Sequence, residues 1–404
     1  MKKWLAAGVC GLFSFLIVIG TVGPVFATTV SGRASTVLEW FDTPDGETAV
    51  PAYQYLMLNA RDIGGKGWNF SGYGRLSGDL ADEVDADSRL YTAYFQKNYV
   101  PQKFRVKIGR QFVSTTAGGT ILDGIDLNYS GFKAVKLRLL GGLNVVYDSD
   151  YEFDNYFFGA AISGSPLKNM ELGLSYVQKW DEGDLAQELI GFDFDYDLAK
   201  IVHLYSETQY SLLYESITYF LAGASSSWSK DWRARLEYLY SMPVFDSTNI
   251  YSVFAVAEYQ EIMGEVDYRI NSKLRSYLRY THEIYQEYSD AGVVDVGLES
   301  VGIEPLRWYV AGVYRNDDDG QNLYGVKGHV SYRFMPDVTA GFGANVDVLE
   351  RRLGDDDETT SSRIWIDGAY DFSKTIQLQA KIERVESDLW DEYYRGRVRL
   401  NVLF

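Results

Sequence analysis

Cysteine, histidine and proline are scarce in this chain, and each shortage excludes a class of structure or chemistry. The only cysteine is Cys10, and 404 residues include 3 histidines and 8 prolines. After residue 27 there is no cysteine, which excludes disulfides, thiolate metal sites and a Cys-x-x-Cys-His haem attachment in that part. Any haem would belong to a partner, and we expect no cofactor of the chain's own.

Motifs for catalysis and metal binding are also absent. His203, His282 and His329 fall in separate segments, and no Gly-x-Ser-x-Gly elbow accompanies them, so we expect no enzyme and no catalytic residue. "RNDDDGQNLYGV" resembles a calcium loop, but alignment on its glycine puts Arg315 and Val326 at the first and last ligand positions. We expect no dedicated metal site and no nucleic-acid partner.

Long apolar runs are missing except at the beginning of the chain. "MKKWLAAGVCGLFSFLIVIGTVGPVFA" has two lysines, an apolar run and then Val25 and Ala27 before "TTVSG". This layout predicts a cleaved secretory signal at residues 1–27. No later run is long enough for a membrane helix, so residues 28–404 are expected to form one domain without a plug.

Aromatic residues are abundant, with 32 Tyr, 21 Phe and 9 Trp, and apolar residues recur with a period of two. The last segment, "EYYRGRVRLNVLF", shows the pattern. Its apolar set is Tyr394, Val398, Leu400, Val402 and Phe404, and its polar set is Arg395, Arg397, Arg399 and Asn401. Such a strand has one apolar and one polar face, which fits either a sheet on a soluble core or a membrane barrel.

Similar segments fill residues 28–404. We predict strands at 29–41, 51–62, 67–78, 88–98, 102–112, 120–130, 133–146, 153–163, 170–180, 185–197, 200–210, 212–228, 231–242, 250–270, 274–285, 292–302, 306–315, 323–334, 337–348, 360–371, 374–386 and 392–404. The total of about 22 is even, as a closed antiparallel barrel with both ends on one side requires, and about 16 to 20 strands would follow from merged segments. Segment 250–270 changes phase near Met263 and is either one bulged strand or two short ones.

The connections alternate in chemistry. Tight ones such as "SPLKN" and "NSK" alternate with longer acidic ones such as "DLADEVDAD" and "GDDDE", and the formal net charge is -18. Short periplasmic turns and longer extracellular loops produce this order. The sequence therefore predicts an all-β, closed antiparallel transmembrane β-barrel.

The strand phase also predicts which charged residues face the bore. In "KFRVKIG" the alternate apolar residues face lipid, so the basic residues between them face inward. The predicted lumen-lining residues are Lys103, Arg105, Lys107, Lys136, Arg138, Asp193, Asp195, Asp197, Arg233, Arg235, Glu265, Asp267, Arg275, Arg279, Lys327, Arg333, Asp367, Arg395, Arg397 and Arg399. Such charges either brace the wall as ion pairs or select what passes.

The chain resembles Gram-negative outer-membrane porins in its signal segment, its alternating strands and its terminal strand ending in Phe404. The resemblance implies the outer membrane as location, with lipid, lipopolysaccharide and the insertion machinery as partners. Tyr394, Val398, Leu400, Val402 and Phe404 look like the insertion signal. "KIGRQF" and "LDGIDLNY" resemble two strands of polysaccharide- and organic-acid-transporting barrels. The long inward loop of those barrels is missing here, so no binding role is carried over to Arg110.

A barrel of about 22 strands encloses a bore that would leak if it were empty. Short loops and a polar inner wall suit a protein guest, so the most specific hypothesis is a sheath around a multihaem cytochrome that carries electrons across the outer membrane, as in porin–cytochrome conduits. The alternative is an open diffusion porin for small hydrophilic solutes. The loops look too short to fold inward and narrow the bore.

Overall fold

A computed structural model describes residues 28–43, 45–147, 153–199, 201–243, 258–302, 304–317, 322–350, 358–388 and 390–404. The predicted signal at residues 1–27 lies outside the described residues, as does the first part of segment 250–270. No helix in the described ranges is long and apolar enough to cross a membrane.

The described residues form one sheet of 23 strands. The first twelve are β1 Thr29–Asp42, β2 Thr48–Ala49, β3 Pro51–Ile63, β4 Trp68–Asp79, β5 Arg89–Tyr99, β6 Phe104–Thr115, β7 Gly118–Tyr129, β8 Val135–Asn144, β9 Tyr156–Gly164, β10 Met170–Asp181, β11 Asp184–Leu198 and β12 Val202–Ser211. The others are β13 Ser216–Ser226, β14 Trp232–Ser241, β15 Tyr259–Asn271, β16 Leu274–Tyr285, β17 Ala291–Ser300, β18 Leu306–Asp317, β19 Leu323–Met335, β20 Val338–Glu350, β21 Glu358–Asp371, β22 Ile376–Ser387 and β23 Trp390–Leu403.

The sheet closes on itself. Each long strand pairs antiparallel with the next, and β1 pairs with β23 from Arg33 opposite Leu403 to Phe41 opposite Arg395. β2 has two residues and pairs only with β1, so it is an extra strand beside the wall. The wall itself has 22 strands, and the predicted all-β closed barrel is confirmed. Because β1 pairs with β23, no wall strand among the described residues is an edge strand.

One face of the sheet carries a continuous belt of exposed apolar side chains. Leu278 is 52% exposed, Val326 60% and Ile366 59%. In contact with water, each of these side chains would forgo the free energy of about 25 cal/mol per Å² that burial of apolar surface gains. A belt of this size around a closed barrel is typical of a surface that lipid covers.

Aromatic pairs concentrate near the turn-side ends of the strands. Outward-facing rings lie 4.3 Å apart at Trp232 and Tyr268, 4.9 Å at Tyr332 and Phe334, and 4.5 Å at Tyr370 and Phe372, measured between ring centroids. Tyrosine and tryptophan favour the interface between hydrocarbon and water because one end of the ring is polar. The belt therefore ends in an aromatic girdle at the turn side.

Candidate functional site

The face opposite the apolar belt is polar, and cross-strand register fixes its members. On β15 and β16, Glu265 lies opposite Arg279, whereas Val266 lies opposite Leu278. Successive residues of a strand point to opposite faces, so the charged pair and the apolar pair lie on different sides of the wall. Since the exposed apolar belt covers one side, we infer that the charged side lines the bore.

Ion pairs brace this inner face between β14, β15 and β16. Glu265 lies between two arginines: its Oε1 is 3.3 Å from Nη2 of Arg235, and its Oε2 is 2.5 Å from Nη2 of Arg279. One strand further on, Arg275 pairs with Glu299. The Glu265 side chain is only 13% exposed, so loss of either arginine would leave a half-buried carboxylate poorly compensated.

A second group of ion pairs lies near the strand closure. Lys381 contacts Glu383 at 2.5 Å from Nζ to Oε2, and Arg395 contacts the other oxygen of the same carboxylate. His329 lies 2.7 Å from Asp367, from Nε2 to Oδ1. Further along, Arg138 holds the buried Asp126 at 3.0 Å. Of these contacts, Arg395–Glu383 and Arg138–Asp126 join neighbouring strands, whereas His329–Asp367 spans β20.

Other predicted lumen residues have different surroundings. Lys107 stacks over the Tyr94 ring at 4.8 Å, and Asp195 and Asp197 lie 3.3 and 2.9 Å from the His203 ring nitrogens. Arg333 pairs with the turn-side Glu304. Within the described ranges no ion pair forms at Arg105, Lys107, Lys136, Arg233, Asp267, Lys327, Arg397 or Arg399.

Lys103 needs a correction. It lies in the turn before β6 with a φ of 49°, so it does not occupy a strand position that could line the wall. The strand begins at Phe104, two residues later than the predicted start at residue 102.

Basic and acidic residues of the inner face lie on different strands of the barrel. Inward positions from β23 through β1 to β6 are rich in arginine, and those of β10 to β12 are rich in carboxylates. Register adds residues that the sequence list omitted: Arg33, Arg75 and Arg89 on the first side, and Glu171 and Glu207 on the second. The same period of two in the sequence contains the signal for all five.

A hairpin formed by β6 and β7 leaves the wall and enters the bore. β6 pairs with β5 only as far as Arg110, and β7 pairs with β8 only from Leu122 onward. Between these points the two strands pair with each other, up to Thr115 opposite Gly118. We call residues 111–121 the inward hairpin.

The tip of the inward hairpin is fastened to β10 and β11, beyond the two intervening strands. The Ala117 N–H donates to the Ser175 Oγ at 2.8 Å, and the Thr116 hydroxyl donates to the Asp193 Oδ1 at 2.6 Å. Both acceptors lie on the charged face. In a closed wall, a contact that skips two strands in this way is made across the inside of the barrel. The two hydrogen bonds therefore support the assignment of the charged face to the bore.

An apolar cluster holds the hairpin in place. Its members are buried and come from the hairpin and from the wall behind it: Val113, Ala117, Leu122, Leu140, Phe157, Val177 and Leu189. It is the largest apolar core among the described residues, in a wall that is otherwise one layer thick. Burial of side chains of this size stabilises by about 1.5–3 kcal/mol each, so the hairpin is firmly seated.

A row of glycines marks where the hairpin bends. Gly109 lies opposite Gly124, and Gly124 lies opposite Gly142. A Cβ at any of the three would collide with the backbone of the next strand, and Gly109 has a φ of 121°. Glycine is the residue that allows both the close approach and this conformation.

The expectation that no segment narrows the bore is therefore wrong. The inward segment is a pair of strands joined by a two-residue turn, so the lengths of the loops in the sequence did not predict it. Its signal was present in "KIGRQF" and "LDGIDLNY", whose glycines form the bend.

The gap that the hairpin leaves in the wall is covered from the β8–β9 connection. The Tyr147 hydroxyl donates to the Leu90 carbonyl at 3.1 Å, and Arg110 Nη1 donates to the same oxygen at 3.2 Å. Arg110 also pairs with Asp123 at 2.6 Å across the base of the hairpin. Arg110 thus fastens the hairpin base.

One loop-side carboxylate is held by backbone amides. Asp79, at the end of β4, accepts from the N–H groups of Val50 at 2.8 Å, Glu83 at 2.6 Å and Val84 at 3.0 Å. Burial opposes ionisation, but these hydrogen bonds outweigh it and lower the pKa of Asp79. The charge orders the β4–β5 loop.

Comparison with known proteins identifies the fold. No family model and no curated protein matches the chain. Among solved structures, Pseudomonas aeruginosa OpdQ has a TM-score of 0.50 at 12% identity, covering 94% of this chain and 99% of that one. Acinetobacter baumannii OccAB3 has a TM-score of 0.50 at 11% identity, covering 94% and 100%.

The translocation pore of the P pilus usher PapC has a TM-score of 0.56 at 8% identity, covering 93% of this chain and 99% of that one. Identities this low establish the fold alone. The chain has the fold of a porin-like outer-membrane β-barrel, as the terminal strand and the alternating segments predicted.

Proposed function

We propose that this protein is a diffusion channel for small hydrophilic solutes in the outer membrane of a Gram-negative bacterium. The inward hairpin carries the proposal. A 22-strand wall alone encloses a bore wide enough to leak, and a rigid segment fastened across its inside narrows it. The charged inner face keeps the remaining passage wet and suits polar solutes.

The hairpin also weighs against the sheath hypothesis. A cytochrome threaded through the barrel would occupy the space that the hairpin tip takes, and moving the tip would expose the apolar cluster around Val113 and Leu122. Nothing among the described residues points to a cytochrome guest. Of the two hypotheses, the open channel is better supported.

The experiment is a conductance measurement on the purified barrel in planar lipid bilayers. We expect stepwise, ohmic channel openings without any added protein. Mild-detergent extraction from native outer membranes, with haem absorbance and mass analysis of co-eluting chains, is the companion measurement. A stoichiometric haem protein together with a silent isolated barrel would contradict the channel and restore the sheath.

We propose partners of the barrel from the chemistry of its outer surface and its terminal strand. The apolar belt and its girdle would contact lipid, and the loop-side rim would face lipopolysaccharide. The terminal strand with Phe404 would be read by the insertion machinery. Its last residue is fixed on β1: the Phe404 N–H donates to the Gly32 carbonyl at 3.1 Å, and the Gly32 N–H donates to the Phe404 carbonyl at 2.8 Å.

A further inference from the structure

One face of the β6–β7 ladder looks toward lipid below the bend and into the bore beyond it. Below the bend, Ile108 lies opposite Ile125, and both are exposed members of the apolar belt. Beyond the bend, Phe112 lies opposite Ile121, and the register does not shift between the two pairs. Because alternate residues of a strand share a face, Phe112 and Ile121 continue the lipid-facing side of the ladder.

Phe112 exposes its ring inside the barrel. Its neighbours Gln111 and Val113 are buried, and Val113 packs in the apolar cluster on the wall, so Phe112 lies on the hairpin face that is turned away from that wall. Phe112 is 64% exposed, as much as Val326 of the apolar belt at 60%. A ring left in a wet bore costs about 25 cal/mol per Å² relative to burial, which an apolar ligand would recover.

The bend also leaves a space in the wall between β5 and the β8–β9 connection. β5 pairs with β6 only from Ala93 to Tyr99, so within the described ranges residues 89–92 pair with β4 alone. On the other side of the space, the Val145 N–H donates to the Ile121 carbonyl at 2.9 Å. Ile121 therefore lies at the edge of the space.

This space lies at the height of the apolar belt. Leu90 and Val146, on its two sides, are both exposed. Leu90 lies opposite Gly74 of β4, and Leu76, which is two residues nearer the loops, is still exposed. Since the belt continues on the loop side of the space, the medium outside the space is lipid.

Among the described residues, side chains close this space where a wall strand would otherwise do so. The hydroxyl of Tyr147 and the guanidinium of Arg110 both donate to the Leu90 carbonyl. The Tyr147 ring also lies 6.0 Å from the Tyr91 ring and 5.3 Å from the Arg89 guanidinium. A side chain has other staggered rotamers, whereas displacement of a paired strand breaks a row of hydrogen bonds. Tyr147 can therefore move aside more easily than a strand could.

We propose that an acyl chain of a membrane lipid enters the bore through this space and lies against Phe112 and Ile121. We call the space and these two side chains the acyl-chain site. Arg110 and Asp123 lie between the site and the belt on the same face, and their charges compensate each other at 2.6 Å. The site goes beyond the channel function, because it needs only the folded barrel in its membrane.

The test is fluorescence quenching of a single label. No cysteine follows residue 27, so Phe112→Cys can carry the only bimane label of the barrel. The barrel is refolded in phosphatidylcholine vesicles that contain a lipid with a nitroxide on its acyl chain. We expect the nitroxide lipid to quench the label, and iodide in the water to quench it as well. Quenching by both would show a position in the bore that an acyl chain reaches.

Neighbouring residues of β19 give matched controls, because Val326 and Lys327 lie on opposite faces of the wall. A label at Val326→Cys should be quenched by the nitroxide lipid and protected from iodide, and one at Lys327→Cys should show the reverse. Retained heat-modifiable migration on gels would show that each labelled barrel is folded.

The closing role of Tyr147 has its own pair of variants. Tyr147→Phe removes the hydroxyl that donates to Leu90 and should raise nitroxide quenching at position 112 by roughly two- to tenfold. Tyr277→Phe removes a hydroxyl from the inner face of β16 and should leave the quenching unchanged.

Three outcomes would overturn the acyl-chain site. The first is nitroxide quenching at position 112 that stays at the Lys327→Cys level with and without Tyr147→Phe. The second is nitroxide quenching there without iodide quenching, which would put this hairpin face in lipid instead of the bore. The third is an equal rise in Tyr147→Phe and Tyr277→Phe. Conductance is measured separately, so a silent barrel with a quenched label would contradict the channel function alone.

Discussion

At the scale of single residues, position on one face or the other decides what a substitution does. Val398 and Arg397 are neighbours on β23, yet Val398 lies opposite Leu38 and Arg397 lies opposite Glu39. The first pair belongs to the apolar belt and the second to the charged face. The period of two in the sequence likewise puts Val398 and Arg397 on opposite faces of the strand.

We predict that Val398→Arg destabilises the barrel by about 2–4 kcal/mol, because it places a charge in the lipid near the midplane. Arg397→Ala should be tolerated, since Arg397 has no ion-pair partner within the described ranges. The measurement is the unfolding midpoint in urea of barrels refolded in lipid vesicles. Equal destabilisation by both changes would contradict the assignment of faces.

A second prediction concerns Asp79. Asp79→Ala removes the acceptor of several loop amides, so the β4–β5 loop should loosen and a Glu-specific protease should cut after Glu83 several-fold faster. Asp85→Ala, an exposed acid of the same loop, is the control. Unchanged cleavage of both variants would mean that Asp79 does not order the loop.

At the scale of elements, the inward hairpin is the feature that gives the barrel a restricted bore. Up to the glycines of the bend, its two strands have a composition like that of the other strands of the wall. What takes it out of the wall is the fit of its apolar side chains against Phe157 and Val177, together with the hydrogen bond at Ser175. These contacts are distant in sequence.

We predict that replacing residues 111–121 with a short Gly-rich turn increases single-channel conductance, because the passage loses its narrowest obstruction. The same replacement should reduce stability, since it removes an apolar cluster. A milder variant, Gly191→Leu, adds a side chain where the wall touches the Ala117 backbone, so it should push the tip away from the wall and change the conductance. Conductance unchanged in both variants would contradict a constricting role.

At the scale of the whole molecule, the barrel is closed by a pairing between the first and last strands, β1 and β23. Their pairing covers Arg33 to Phe41 and ends beside Phe404, whose ring packs on Gly32. A Cβ on Gly32 would lie 2.5 Å from the Phe404 Cζ. The seam, by which we mean the pairing of β1 with β23, therefore accommodates the Phe404 ring only because residue 32 is glycine.

We predict that deleting Phe404 lowers the amount of barrel assembled in the outer membrane, for two reasons. The insertion machinery loses its proposed signal, and the seam loses two backbone hydrogen bonds and a ring contact. The measurement is the heat-modifiable fraction on gels of membrane extracts. In vitro refolding separates the reasons, because only the second would slow closure in the absence of the machinery.

The architecture of this protein follows from patterns that are visible in its sequence. A period of two over 22 segments, alternating turns and acidic loops, and an apolar face on every strand are local properties, and a barrel wall is built from local pairing. The faces of Glu265, Arg279 and the terminal arginines follow from the same period. Here the chain order is the strand order, so little is left for distant contacts to decide.

What occupies the bore depends on contacts between residues that are distant in the sequence. The inward hairpin depends on contacts from Val113 to Val177 and from Thr116 to Asp193, and the glycines of the bend do not by themselves specify these partners. The ring contacts from Tyr55 to Tyr73, Tyr91 and Tyr147 likewise join three strands and the β8–β9 connection. Local patterns fix a wall, whereas the contents of its interior depend on side chains that meet only after the sheet has closed.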